Sequence, residues 1–162
     1  MRVQRFSPYM ANSDYWQTIP YFEEDIKTDS ILLKTVHLDG HEAYPEYTDE
    51  LKKMLENKLN KSVILHDTEK GYIALHFSDI ILPIIEFSKD LLNDFVIAGI
   101  VEIVLKIVKK HVPTLEENNT IVQCEIHIND LENKFQEQFY FKGPADKFEE
   151  VLTKLPDYKK KE

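Results

Sequence analysis

The sequence predicts a two-layer α+β domain in which a mostly antiparallel sheet carries helices on one face. Two observations support this prediction. Between Thr120 and Phe141, apolar and polar residues alternate, which is typical of strands that have one covered face. Residues 49–59 and 145–155 instead place their apolar residues at helical spacing, with charged residues on the opposite side.

The first half of the domain begins with a β-rich run at 31–38, which ends at the turn pair Asp39-Gly40. An amphipathic helix is predicted next, over 49–59. Its apolar stripe consists of Leu51, Met54, Leu55 and Leu59. Residues 62–77 then predict a β-hairpin with its turn between Asp67 and Gly71. These elements give the order β-α-β-β.

The second half begins with the long apolar stretch 83–111, predicted as one helix or a kinked pair of helices. A second hairpin over 120–141 and an amphipathic helix over 145–155 complete the chain. The first six elements have the order of a ferredoxin-like βαββαβ core, to which an extra C-terminal strand and helix are added. One sheet face is expected to be covered and the other partly exposed.

Three segments organise the chain. Residues 1–30 are rich in aromatic residues, lack clear periodicity and predict an N-terminal arm packed on the domain. Residues 31–156 form a single α+β domain, and 157–162 form a charged tail. The arm's aromatic residues either seal one end of the core or bind a partner, and Trp16 is the binding candidate among them.

The apolar stretch from Pro83 to Pro113 is not a conventional membrane span, because six charged residues interrupt its central part. Its polar stripe changes sides around Gly99, so its two halves are expected to bury opposite faces. The second apolar face consists of Val101, Val104, Leu105 and Val108. Either the rest of the chain covers this face, or a partner does, which could be a second copy in a homo-oligomer formed through residues 95–108.

Composition limits the classes of partner. The 162 residues carry a formal net charge of −9, which argues against general binding to DNA or RNA and favours a basic protein partner. Cys124 is the only cysteine, so an internal disulfide is impossible. Its place in an alternating run predicts a buried thiol. The N-terminus lacks the apolar core of a signal peptide, so a cytoplasmic location is expected.

Motifs of catalysis, phosphate binding and cofactor binding are absent from the sequence, and no cofactor is expected. The nearest candidate for a metal or acid–base site is the segment VHLDGHEAY, with His37, Asp39 and His41. His37 and Asp39 would point the same way at a strand end, and His41 could return after Gly40. The competing interpretation is a simple Asp-Gly turn, which this spacing produces by chance.

Strand alternation places several polar and aromatic residues on the sheet face opposite the core. The candidate binding residues on this face are His66, His76, His127, Tyr72, Glu125 and Tyr140. The simpler interpretation is a solvated sheet face. The more specific one is a recognition surface whose charge depends on pH, because histidine titrates near neutrality.

These observations favour a non-enzymatic, acidic protein-interaction module, such as an inhibitor or immunity-type protein that neutralises a partner. The first alternative is a small metal- or ligand-dependent enzyme that uses the His37/Asp39/His41 region. The second alternative is a homo-oligomeric structural component. Among these classes the enzyme is disfavoured, because its candidate residues form no specific motif.

Overall fold

The computed structural model describes residues 3–4, 13–20, 29–38, 40–73, 79–111 and 120–152. Its strands, in chain order, are β1 (Val3–Gln4), β2 (Ser13–Pro20), β3 (Ser30–Lys34), β4 (Val36–Leu38), β5 (His41–Pro45), β6 (Ser62–Leu65), β7 (Tyr72–Ile73), β8 (Ile80–Ile81), β9 (Ile84–Ser88), β10 (Ile121–Asp130) and β11 (Phe135–Pro144). The helices are α1 (Thr48–Leu59), α2 (Asp94–His111) and α3 (Ala145–Leu152).

The main sheet has the strand order β1-β2-β11-β10-β9-β3-β6, with β8 beside β10. Its long pairings, β10 with β11 and β11 with β2, are antiparallel. The pairs β3–β6 and β9–β10 are parallel, and a helix connects the two strands of each. A small second sheet has the order β4-β5-β7. Part of the predicted N-terminal arm is therefore regular structure, since β1 and β2 belong to the main sheet.

The α+β class and the two-layer arrangement are confirmed. Register places Ile31 beside Val63, Leu33 beside Ile85 and Ile126 beside Phe139, all on one face of the main sheet. These residues are buried with the apolar sides of the three helices in a single core. Helix α2 contacts both α1 and α3, so the helices form one layer. Cys124 lies in this core, as expected, and burial raises the pKa of its thiol.

The ferredoxin-like strand order is not found. A split βαβ unit has another strand between its two parallel strands, whereas here β3 pairs directly with β6, and β9 pairs with β10. The hairpin predicted over 62–77 is described only in part. Strand β6 pairs with β3, and β7 pairs with β5 in the small sheet. Residues 74–78 of that predicted hairpin lie outside the described residues.

Residues 83–93 do not form an α-helix, contrary to the prediction. Ile84–Ser88 form strand β9, with Ile85 and Phe87 on the core face and Glu86 on the other. A short 3₁₀ turn follows, and α2 begins only at Asp94. The Asn93 side chain accepts a hydrogen bond from the Val96 amide at 2.9 Å, which satisfies a free donor at the helix start.

The apolar character of α2 follows from its central place in the helix layer. Val101, Val104 and Val108 are at most 4% exposed, and Leu105 packs against the core. The chain itself therefore covers this face, and the hypothesis of an oligomer through 95–108 gains no support. Among the helices in the described ranges, none combines the length and the apolarity that crossing a membrane requires.

Gly99 sets the close approach of α2 to α1. A Cβ atom at this position would lie 2.6 Å from Cδ2 of the buried Leu59. We expect Gly99→Val to lower the free energy of unfolding by about 2 kcal/mol, because overpacking forces neighbouring side chains to shift. Ala98→Val, on the exposed side of the same turn, is the matched control and should cost less than about 1 kcal/mol. Urea unfolding measures both, and equal losses would contradict this packing.

Candidate functional site

The face of the main sheet opposite the helices carries polar side chains in register, and we call it the polar face. Its pairs are Glu125 with Tyr140, His127 with Gln138, Asn129 with Gln136, Glu86 with His127, and Ser88 with Asn129. The predicted alternation of β10 and β11 is therefore confirmed. This face is not simply solvated, however, because several of its polar residues are buried. The buried ones are Glu86, Ser88, His127, Asn129 and Gln136.

Four ionisable side chains on the polar face follow one another with alternating charge: Glu125, His127, Glu86 and Lys34. We call this series the charge chain. Nε2 of His127 lies 2.5 Å from Oε2 of Glu125, and its Nδ1 lies 3.6 Å from Oε1 of Glu86. The second distance is an ion-pair contact, longer than a hydrogen bond. The Lys34 ammonium donates to the same Glu86 oxygen at 3.1 Å.

Burial and partners act in opposite directions on the two inner groups of the charge chain. Burial alone would raise the pKa of Glu86, but attraction to His127 and Lys34 outweighs it and lowers this pKa to about 2. Burial alone would lower the pKa of His127, whereas its contacts with Glu125 and Glu86 raise it. Glu86 is therefore an anion at neutral pH, and His127 retains its proton to a higher pH than a solvated histidine.

Amide side chains extend this cluster towards the far end of the sheet. Gln136 donates to Glu86 at 3.0 Å and to Asn129 Oδ1 at 2.8 Å, and Gln138 donates to Gln136 at 2.7 Å. Nδ1 of His127 and Nδ2 of Asn129 are buried and have no hydrogen-bond partner among the described residues. Such a buried polar network stabilises one arrangement of its members, because each change leaves another polar group unsatisfied.

An open cavity of about 600 Å³ lies where the polar face meets the β4–β5 hairpin, and we call it the sheet-face cavity. Its lining residues with acidic, basic or phenolic side chains are Lys34, His37, Glu42, His66, Asp67, Glu125 and Tyr140. Glu125 and Lys34 are the two ends of the charge chain, so the chain begins and ends at this cavity. Its apolar lining residues include Ile81 and Ile84.

The structure brings together only some of the candidate binding residues. His66, Glu125 and Tyr140 line the sheet-face cavity, and His127 lies beneath it against Glu125. Tyr72 lies elsewhere, in the small sheet, where its hydroxyl donates to Asp49 at 2.7 Å. Trp16 lies in β2, where its register partner is Phe139. His76 lies outside the described residues.

The proposed metal or acid–base site does not form as predicted. Strands β4 and β5 pair His37 with Glu42 and Leu38 with His41, so the two histidines occupy opposite faces of the hairpin. His37 makes an ion-pair contact of 3.4 Å with Glu42 instead. Asp39 lies outside the described residues. Within the described ranges, no group of three or more histidine, cysteine or acidic residues could hold a metal ion.

The sequence reasoning missed the two members of the charge chain that lie outside β10. Glu86 lies within the stretch 83–111 that was predicted as helical, and Lys34 lies within the β-rich run 31–38. The sequence feature that could have revealed Glu86 is its position as the single carboxylate within the apolar run IIEFS. In the structure its register partner is His127. A charge in such a run requires a buried partner, because an unpaired buried charge is strongly disfavoured.

No family model, no curated protein and no solved structure matches this chain.

Proposed function

We propose that the chain is a non-enzymatic protein-interaction module that binds a basic segment of another protein at the sheet-face cavity. The supporting observation is that this cavity gathers predicted binding residues from β10, from β11 and from the position directly after β6, together with more carboxylates than ammonium groups. Concave sites with a few converging polar groups are the usual places of ligand recognition. Covering a basic surface would block it, which is how an inhibitor or immunity-type protein acts.

Both the net charge of the chain and the charges that line the cavity favour a basic partner. The whole chain carries a formal net charge of −9, which attracts cationic surfaces and repels nucleic acid. The cavity is lined by three carboxylates, Glu42, Asp67 and Glu125, and by one ammonium group, that of Lys34, while Lys70 lies outside the lining at 3.9 Å from Glu42. Lys34 is in turn paired with the buried Glu86. The cavity therefore offers negative charge to a ligand when its histidines are neutral.

Selection from a random-peptide display library tests this function. We expect the immobilised protein to enrich peptides that contain Arg or Lys, and we expect the enriched peptides to lose at least about tenfold in affinity for Glu125→Gln. Glu102→Gln, which removes a carboxylate from the exposed side of α2, is the control and should bind like the unmodified protein. Enriched peptides that lack basic residues, or that bind Glu125→Gln equally well, would contradict the proposal.

A further inference from the structure

The two end residues of the charge chain are accessible to a ligand, whereas the two residues between them are buried. The side chains of Glu125 and Lys34 are 24% and 25% exposed, whereas those of His127 and Glu86 are 7% and 0% exposed. A ligand in the sheet-face cavity can therefore contact the ends of the chain directly. His127 is not among the residues that line the cavity, and its direct contact with a lining residue is that with Glu125.

The two end residues of the charge chain, Glu125 and Lys34, are not equally available to a ligand. The Lys34 ammonium donates to Glu86, a buried anion that holds it in place. Glu125 uses Oε2 for His127, and none of the described residues hydrogen-bonds its Oε1. A carboxylate accepts several hydrogen bonds at once, so Glu125 retains capacity for a donor from the cavity. The available end of the chain is thus an acceptor with negative charge.

Among the charged groups near His127, Glu125 makes the shortest contact, at 2.5 Å. The charged neighbours of His127 are Glu125 on its own strand, Glu86 on β9 and Lys34 on β3. From β11, the residue paired with it is the uncharged Gln138, and the neighbouring Tyr140 is paired with Glu125. A cation that binds Glu125 competes for the carboxylate and adds like charge close to the imidazolium. Both effects weaken the hold of His127 on its proton.

Resting on the function proposed above, we propose that a cationic side chain of the partner, a guanidinium or an ammonium group, enters the sheet-face cavity, pairs with Glu125 and displaces a proton from His127. Because linkage is reciprocal, the loss of that proton must in turn strengthen the binding of the cation. The cation is therefore bound more tightly on the alkaline side of the His127 titration and released on the acidic side. His127 acts here as a positioning residue for Glu125 that also makes the site sensitive to pH.

Small probes on the full chain test this inference. N-acetyl-arginine methylamide and N-acetyl-lysine methylamide supply the two cations, and the citrulline analogue is the neutral control of the same shape as arginine. We expect at least one cationic probe to lower the midpoint of the His127 imidazole titration, followed by NMR. We also expect that probe to bind about tenfold more tightly above the His127 titration than below it. The two probes together decide between guanidinium and ammonium.

Variants then separate the possible outcomes. Glu125→Gln should abolish both the binding of the probe and the shift of the titration, and Glu102→Gln should change neither. An unshifted His127 titration at saturating probe, or equal binding of the citrulline analogue, would overturn the inference. If selected basic peptides bind at the cavity with an affinity independent of pH, the proton linkage fails and the proposed function stands. If neither peptides nor probes bind there, both fail.

Discussion

Replacing Glu86 by glutamine is expected to lower the free energy of unfolding by about 3 kcal/mol. Glu86 is fully buried and is the only described anion that contacts both His127 and Lys34. Glutamine has nearly the same volume, so the loss comes from charge and not from a cavity. Without Glu86, a buried imidazolium and a partly buried ammonium share one region in which the partly buried carboxylate of Glu125 is the remaining compensation. Urea unfolding at neutral pH measures the difference.

Glu102→Gln is the matched control for this substitution. Glu102 also contacts two cations, Lys58 at 2.8 Å and Lys106 at 3.6 Å, but its side chain is 41% exposed. Its loss should change stability much less than the loss of Glu86, since water screens exposed ion pairs. In Glu86→Gln/His127→Gln the loss should be smaller than the sum of the two single losses, because the uncompensated charge is removed. Equal losses for Glu86→Gln and Glu102→Gln would contradict the charge chain.

The stability difference between the unmodified protein and Glu86→Gln is expected to depend on pH at both ends of the range. The pKa of Glu86 is lowered in the folded state from 4.5 to about 2, so its contribution is present above pH 4.5 and is lost as the pH falls. The difference should shrink by about 2 kcal/mol between pH 7 and pH 3, as this shift in pKa requires.

At alkaline pH, the change in this stability difference follows from His127, whose pKa in the folded state is raised above 6.5. A raised pKa contributes stability that is complete below pH 6.5 and is lost as the pH rises through the folded-state value. The difference between the two proteins should therefore be largest between pH 4.5 and 6.5 and should narrow above that range. Urea unfolding at a series of pH values measures it, and a difference independent of pH would contradict the assigned pairing.

The strands that were predicted correctly are those whose two faces differ in polarity. In β10, Val122, Cys124 and Ile126 alternate with polar residues because only the helix-covered face is apolar. The alternation was visible even though the polar face is itself partly buried. The amphipathic helices α1 and α3 were predictable for the same reason, since each has one buried and one solvated side.

The failed predictions depend on long-range pairing. Strand β9 is short and has a charged residue at its centre, so the spacing of Glu86, Lys89 and Asp90 resembled a helical stripe. Among the described strands β6 pairs with β3, which precedes α1, and the prediction of a local hairpin over 62–77 did not include this pairing. Parallel pairing through a helical connection leaves no turn signature between the paired strands.

The candidate site was predictable only in part, for a related reason. Alternation located Glu125, His127 and Tyr140 on one face, because all three lie in a single hairpin. The sheet-face cavity also requires Lys34 and Ile84, from strands far away in the chain. Neither the burial of residues on the polar face nor the contact of His127 with Glu86 could be predicted from each strand considered alone.

Paramagnetic relaxation from a nitroxide-labelled basic peptide, chosen by selection against this protein, tests the location of the binding site most directly. If the sheet-face cavity is the site, amide signals of His66, Glu125 and Tyr140 broaden, and those of the exposed end of α2 around Phe95 stay sharp. The broadening should disappear with Glu125→Gln. Broadening centred on Phe95 and the helix layer, with sharp signals at the cavity, would contradict the account.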